Sequence, residues 1–324
     1  MLLEIRHRTE FHYSAMVRES VMEIWMQPQR SHRQRLVSFE LEIDPAAQLF
    51  SYADAFDNAV YHFDVPQPHD RLKIHARCAV ETEPMDALPE RLDKGEWDRL
   101  RSEFVRGEWF DFLGPHGYAV QTEALEAFSK THGIEALRHD DPLSAVLALN
   151  QAIYGALEYQ PGVTEADSPI DHALMAGRGV CQDFAHIMIA ICRSWGLPTR
   201  YVSGYLFTDQ SGGDRSDPDA THAWVEVFLP SLRWVGFDPT NNALAGERHV
   251  IVATGRDYGD VPPTRGVFKG DADSELSVGV SVRQARVATS EPEFLRMGRA
   301  ATSAGRRRHA SALALDHQLQ QQQQ

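Results

Sequence analysis

Short runs that alternate apolar and polar residues fill the first part of the chain, among them "LVSFELEID" and "AVYHFDV". Period-two alternation broken by Pro, Asp, Asn and Gln predicts half-buried strands. The stretch from "LLEIRHRTEFHYS" to "RLKIHARCAVETEP" therefore reads as an antiparallel β domain ending near Pro84. Between Leu88 and about Tyr159 the texture changes to helix formers. "ALEAFSKTHG" closes on a glycine and "DDPLSAVLALNQAIYGAL" opens on Asp-Asp-Pro, the punctuation of helix ends and starts. After this helical layer comes a long apolar run, "GRGVCQDFAHIMIAICRSWGLP". Three strand candidates follow, "RYVSGYLF", "HAWVEVFL" and "RWVGFDP", rich in β-branched and aromatic residues. "GRDYGDVPPTRGVFKG" is turn-rich, and "SELSVGVSVRQARV" alternates again as a late strand. A helix packed on an antiparallel sheet makes the fold class α+β, with an N-terminal β domain over 1–85 and a core over 86–290. The segment 291–324 ends in an Arg run and a Gln tract, a composition expected to be disordered.

In the apolar run, Phe184, Met188, Ile191 and Trp195 recur at three- and four-residue intervals. Ala185, Ile187, Ile189 and Cys192 widen that stripe until the helix must be largely buried. Gly196 and Pro198 stop it. Gly177, Gly179 and Val180 leave Cys181 at or near its first turn, where unpaired N–H groups and the helix dipole favour a thiolate and can also bind an oxyanion. Position alone is equally compatible with Cys181 as a small buried core residue. His186, five residues on, is turned by about 500° and points away from the thiol, as a packing or hydrogen-bonding histidine. Cys192 lies about 16 Å along the axis, too far for a shared bond or metal, and reads as core, as does Cys78. Asp183 reads as a carboxylate compensating the dipole.

Composition narrows the function classes. The chain has 324 residues, 43% of them hydrophobic, enough for a substantial core. Its net charge of −14 argues against a phosphate backbone as partner, so no nucleic acid is expected. No window reaches the roughly 18 apolar residues of a membrane span, and charges interrupt the start too early for a signal peptide. A cytoplasmic protein is expected, consistent with three scattered cysteines and no C-x-x-C pair for structural zinc.

A thiolate nucleophile needs a base, and the base needs an orienting acceptor. Read as a hairpin with a loop from Leu229 to Arg233, "DATHAWVEVFLPSLRWVGFDPTN" sets Phe228 opposite Trp234, Glu226 opposite Gly236 and Trp224 opposite Asp238. His222 then sits diagonally from Asp238 on one face, at a spacing of roughly 7 Å that an imidazole and a carboxylate can bridge. A loop of different parity would put the two on opposite faces.

"GRGVCQDFAH", "GLPTRYVSGY", "DATHAWVEVFLP" and "WVGFDPTN" together resemble the transglutaminase-like superfamily, and the first segment resembles the β-rich region preceding that core in bacterial members. The resemblance implies a papain-like core and a Cys181, His222 and Asp238 catalytic triad for acyl transfer on a peptide or protein amide. It leaves open a cysteine protease or amidase, a transamidating enzyme, or a scaffold kept only for binding; hydrolysis is the expectation, since no feature marks an amine pocket. The backbone N–H of Cys181 is one expected oxyanion donor, and the second is unassigned. Trp224 and Tyr205 could wall a pocket, but core packing is the simpler expectation. No calcium loop is evident, the acidic "TDQSGGDRSDPDAT" reads as a flexible loop, and no metal or cofactor is expected.

Overall fold

In the computed structural model, which describes residues 1–138, 141–208, 214–217 and 220–285, the alternating runs at the start form long antiparallel strands. These are β1 (Leu2–Val17), β2 (Glu19–Ile24), β3 (Gln34–Asp44), β4 (Phe50–Ala53), β5 (Ala59–Val65) and β6 (His69–Thr82). Along β6 the side chains of Leu72, Ile74, Ala76, Cys78 and Val80 are all buried, because successive even positions share one face of the pleat.

The helical layer holds α1 (Glu96–Arg101), α2 (Glu103–Glu108), α3 (Glu123–Thr131) and α4 (Pro142–Ala156). The Asp-Pro start of α4 works as its sequence suggests: Pro142 occupies the first turn, and the Asp141 carboxylate accepts the Ser144 N–H at 3.1 Å. A two-residue β7 (Glu158–Tyr159), α5 (Ile170–Ala176) and a two-residue β8 (Arg178–Gly179) lead into α6 (Cys181–Ser194). Helix α6 is buried almost all round, and it ends where Gly196 takes φ 81° and the Leu197 N–H returns to the Cys192 carbonyl.

Against α6 lie β9 (Thr199–Leu206) and β10 (His222–Leu229), continued by β11 (Arg233–Asp238), β12 (Ala243–Leu244) and β13 (His249–Gly255) in the sheet order β12-β11-β10-β9-β13. The β10–β11 register is the expected one, with Phe228 opposite Trp234 and Glu226 opposite Gly236. Leu229 and Arg233 themselves pair, so the loop is shorter by two residues than expected, with its parity unchanged. Arg233 adopts φ 66° behind a Leu232 N–H to Leu229 carbonyl turn, the geometry that closes a three-residue hairpin loop.

The chain then returns to its beginning. The stretch read as turn-rich contains β14 (Thr264–Lys269), which pairs with β2, and the late strand β15 (Ser274–Gln284) pairs with β1. The N-terminal sheets are thus β15-β1-β6-β3 and β14-β2-β5-β4, so residues 264–284 join the N-terminal β region instead of the core to which the sequence reading assigned them. Alternation marks a strand but not its partner. Tyr13, Met22, Ile24, Phe63, Leu72 and Ile74 fill the space between these sheets, while Leu3, Ile5, Cys78 and Val80 join the larger core around α6. Among the described residues no helix is long and apolar enough to cross a membrane. The expectation of a disordered 291–324 segment lies outside the described residues, as does part of the acidic loop before β10.

Candidate active site

Cys181 is the first residue of α6, after Val180 as N-cap. Asp183 fixes this start: its Oδ2 accepts the Val180 N–H at 2.8 Å and the Thr164 hydroxyl at 2.6 Å. A Cβ on Gly179 would lie 2.6 Å from that same oxygen, so the approach of the carboxylate requires glycine there. Burial pushes the Asp183 carboxyl pKa up, and its part is that of a hydrogen-bonded cap more than of a dipole-compensating charge. Cys181 is partly exposed, whereas Cys78 and Cys192 are buried, and burial drives both their thiols up to about 12. Only Cys181 of the three stands at a helix start.

The fold brings the three sequence-nominated residues together. His222, at the first position of β10, donates from Nε2 to Asp238 Oδ2 at 2.8 Å and lies close enough to the Cys181 side chain for the two to interact electrostatically. With Nε2 taken, Nδ1 is the nitrogen left for the sulfur. Burial opposes a charged imidazole, but the Asp238 carboxylate and the Cys181 sulfur outweigh it and raise the His222 pKa. Burial likewise opposes a charged Asp238, yet His222 and then His249 hold its carboxyl well below the usual range.

Asp238 is held from both sides. Oδ1 accepts the backbone N–H groups of Thr240 and Asn241 at 3.1 and 3.2 Å, the local turn that an Asp-Pro-Thr-Asn sequence favours. Oδ2 accepts His222, the Asn241 side-chain amide at 2.7 Å and His249 Nε2 at 3.2 Å. The Asn241 amide also accepts the Arg215 N–H and donates to Ser216 Oγ, so it ties the segment before His222 to the carboxylate.

Sequence reading did not find His249, Asn241 or Tyr159. His249 opens β13, and β13 and β11 are separated by β10 and β9, so the contact joins side chains across two intervening strands and leaves no local signal in the sequence. Asn241 had a signal in the turn residues after Asp238. Tyr159, on the strand paired with β8, lies near the thiol: burial and then the charge of Cys181 push its phenol up to about 12. Its hydroxyl accepts the Asp217 N–H at 3.3 Å, leaving its own proton free to donate.

Other nominated residues lie outside the contact. Trp224 and Tyr205 are core: Trp224 stacks on the His222 ring with centroids 5.9 Å apart, and the Tyr205 hydroxyl bonds His7 Nδ1 at 3.0 Å. His186 accepts the Tyr258 N–H and stacks on Tyr118, pointing away from the thiol as its spacing predicts. His222, Asp238 and His249 place their ligand atoms within 4.8 Å of one another, the spacing of a metal site. Their lone pairs and protons are committed to one another and to Asn241 and Gly246, and an ion there would have to displace these bonds.

Comparison with known proteins identifies the family. The model of the transglutaminase-like superfamily matches residues 133–239, and that of the bacterial transglutaminase-like N-terminal region matches residues 3–81. An uncharacterized protein of Mycobacterium tuberculosis is 36% identical over 297 residues, spanning 86% of this chain and 91% of that one. A protein-glutamine gamma-glutamyltransferase of Pseudomonas aeruginosa is 32% identical over 114 residues, 32% of this chain and 16% of the relative. A solved candidate cysteine protease from Cytophaga hutchinsonii shares the fold at a TM-score of 0.64 and 21% identity, covering 89% of this chain and 93% of that one.

Proposed function

The chain belongs to the transglutaminase-like superfamily, and from that premise we propose that it is a thiol hydrolase acting on an amide of a peptide or protein through Cys181, His222 and Asp238. One observation carries the reading: a single imidazole, His222, hydrogen-bonds a buried carboxylate on one side and interacts with the only partly exposed thiol on the other.

The chemistry follows from those contacts. The Cys181 sulfur attacks the carbonyl carbon, and the carbonyl electron pair moves onto oxygen. That oxyanion meets the free first-turn N–H of Cys181, with the Tyr159 hydroxyl as the candidate second donor. The tetrahedral intermediate collapses, the carbon–nitrogen bond breaks, and protonated His222 gives its proton to the departing amine. Neutral His222 then takes a proton from water as the hydroxide attacks the thioester; the carbon–sulfur bond breaks and the acid leaves. Asp238 keeps the imidazole oriented and stabilises its charged form throughout.

A second reading, transamidation, has the Pseudomonas aeruginosa relative's name in its favour. It differs only in that a primary amine replaces water in the second half. Favouring an amine over abundant water needs a pocket that holds and desolvates it. A peptide library containing glutamine, incubated with millimolar primary amine and read by mass spectrometry, separates the two. Free acid or cleaved peptide is expected; a predominance of amine conjugates rejects the hydrolase reading. If neither forms and iodoacetamide labels Cys181 no faster than Cys78 or Cys192, a non-enzymatic binding module replaces both.

A further inference from the structure

We propose that His249 is a positioning residue for the His222–Asp238 pair, a fixed N–H donor that competes with His222 for Asp238 Oδ2 and so limits how strongly His222 holds its proton. The inference rests on the triad reading above and adds a fourth residue to it.

The tautomer of His249 follows from its contacts. Its Nδ1 faces the backbone N–H of Gly246 at 3.3 Å, which a nitrogen lone pair accepts, so the ring proton sits on Nε2. Nε2 lies 3.2 Å from Asp238 Oδ2 and has only a proton to offer. The ring has little freedom to leave. The Trp224 ring meets it edge-on with centroids 5.1 Å apart, and its backbone pairs with Leu206 of β9. Burial lowers the pKa of His249, which keeps it a neutral donor beside an imidazole that must become charged.

Oδ2 therefore shares its charge among three donors: His222, Asn241 and His249. Each donor that withdraws electron density from the oxygen weakens its hold on the His222 proton. Such a setting suits a residue that must surrender a proton to a leaving amine and recover it from water. His249 has no role as the base itself, since it contacts the carboxylate and not the sulfur.

The charged and titratable groups around this cluster are few. Asp238, His222 and Arg248 act on His249; Asp238 and Cys181 act on His222. Arg248 is paired with Asp214 at 2.7 Å. His249 also lines a cavity of about 420 Å3 together with Arg200 and Glu226, paired with each other at 2.6 Å, and with His32, Arg33, Glu83 and Asp86. Arg233 lines it too.

The test uses the full chain and no natural substrate. The rate of iodoacetamide alkylation at Cys181, followed by peptide mass mapping, is measured across pH in the wild type, His249→Leu, His249→Gln and His222→Ala. The wild type should show a step at alkaline pH, due to His222 losing its proton, which is absent in His222→Ala. His249→Leu removes the competing donor, and the step should move up by about 0.5–1 pH unit. His249→Gln, whose amide nitrogen reproduces the reach of Nε2, should keep it within about 0.3 unit of the wild type. If His249→Leu does not fold, His249→Asn takes its place, because its shorter amide can accept the Gly246 N–H but not reach Asp238. An unmoved step in the donor-lacking variant, or an equal movement in His249→Gln, overturns the role of His249 while leaving the triad reading in place. A wild-type profile with no His222-dependent step overturns the triad reading, and the role of His249 with it.

Discussion

Asp238 accepts five hydrogen bonds, two on Oδ1 and three on Oδ2, in a place with no access to water. A carboxylate with so many donors cannot rotate without losing several of them, and they favour its ionised form well below the usual carboxylate range. Asp238→Asn keeps the shape but turns an amide NH2, itself a donor, toward groups that donate, so His222 loses its orientation and the partner for its positive charge. Turnover should fall by about 10³–10⁴ with KM little changed, measured as kcat and KM on any amide substrate found in the library screen. Asp238→Ala should have a similar kinetic effect and in addition lower the melting temperature, because buried N–H groups of His222, His249 and Asn241 lose their acceptor. Activity equal to the wild type in either variant would remove Asp238 from the triad. His222→Ala should be at least as damaging, and the double variant far from additive.

Helix α6 and the β10–β11 hairpin were readable in the sequence because their determinants are local: a stripe at helical spacing, Gly196 and Pro198 at its end, and a loop whose parity puts His222 and Asp238 on one face. Strand β13 carries His249, and its contacts are long-range. As an edge strand it exposes unpaired backbone groups, and two side-chain amides from the N-terminal region cover them. Gln34 accepts the Ile251 N–H and donates to the Ile251 carbonyl; Asn58 does the same for Thr254, accepting at 2.8 Å and donating at 2.9 Å. Nothing in the spacing of Gln34 and Asn58 announces this, since each imitates a neighbouring strand only once the sheets are assembled. Replacing both by alanine leaves the Ile251 N–H and the Thr254 N–H and carbonyl without these partners, while the Ile251 carbonyl keeps the Gln29 N–H at 3.0 Å, and stability should drop by about 2–4 kcal/mol in urea unfolding, with the m-value retained. Because β13 positions His249, the upward move of the alkylation step expected for His249→Leu should appear here in part. A double variant as stable as the wild type would mean that water replaces the amides.

At the scale of the whole described chain, residues 1–285 form one compact unit, and the strands from 264 to 284 complete the sheets that the first 82 residues begin. Alternation marked the late strand β15, but β14 fell in a stretch read as turn-rich and the closure was not legible, because which edge a late strand joins is decided by assembly and not by alternation. Assembly also buries histidines that have no charge partner. His7 lies among Tyr205 and Thr9, and burial lowers its pKa to about 4; His186 lies under Tyr118 and Tyr201, and burial, aided by Arg193, lowers its pKa to about 3. The unfolded chain binds protons at these residues near pH 6.5, and the folded chain does not until far lower pH. Between those values the unfolded state holds more protons, so stability falls as the pH falls. His222 works in the opposite sense: its raised pKa adds stability at pH below the ordinary histidine value, and that contribution is lost as the pH rises through the folded value. The acid branch can be isolated with His186→Gln, which cannot titrate but retains an acceptor for the Tyr258 N–H. Urea unfolding between pH 6 and pH 4 should show a pH slope smaller than the wild type's by one proton, about 1.4 kcal/mol per pH unit, whatever the offset in overall stability. Parallel slopes for the two proteins would show that His186 gains its proton while folded, and that the layer around Tyr118 and Tyr201 opens well before the rest of the chain.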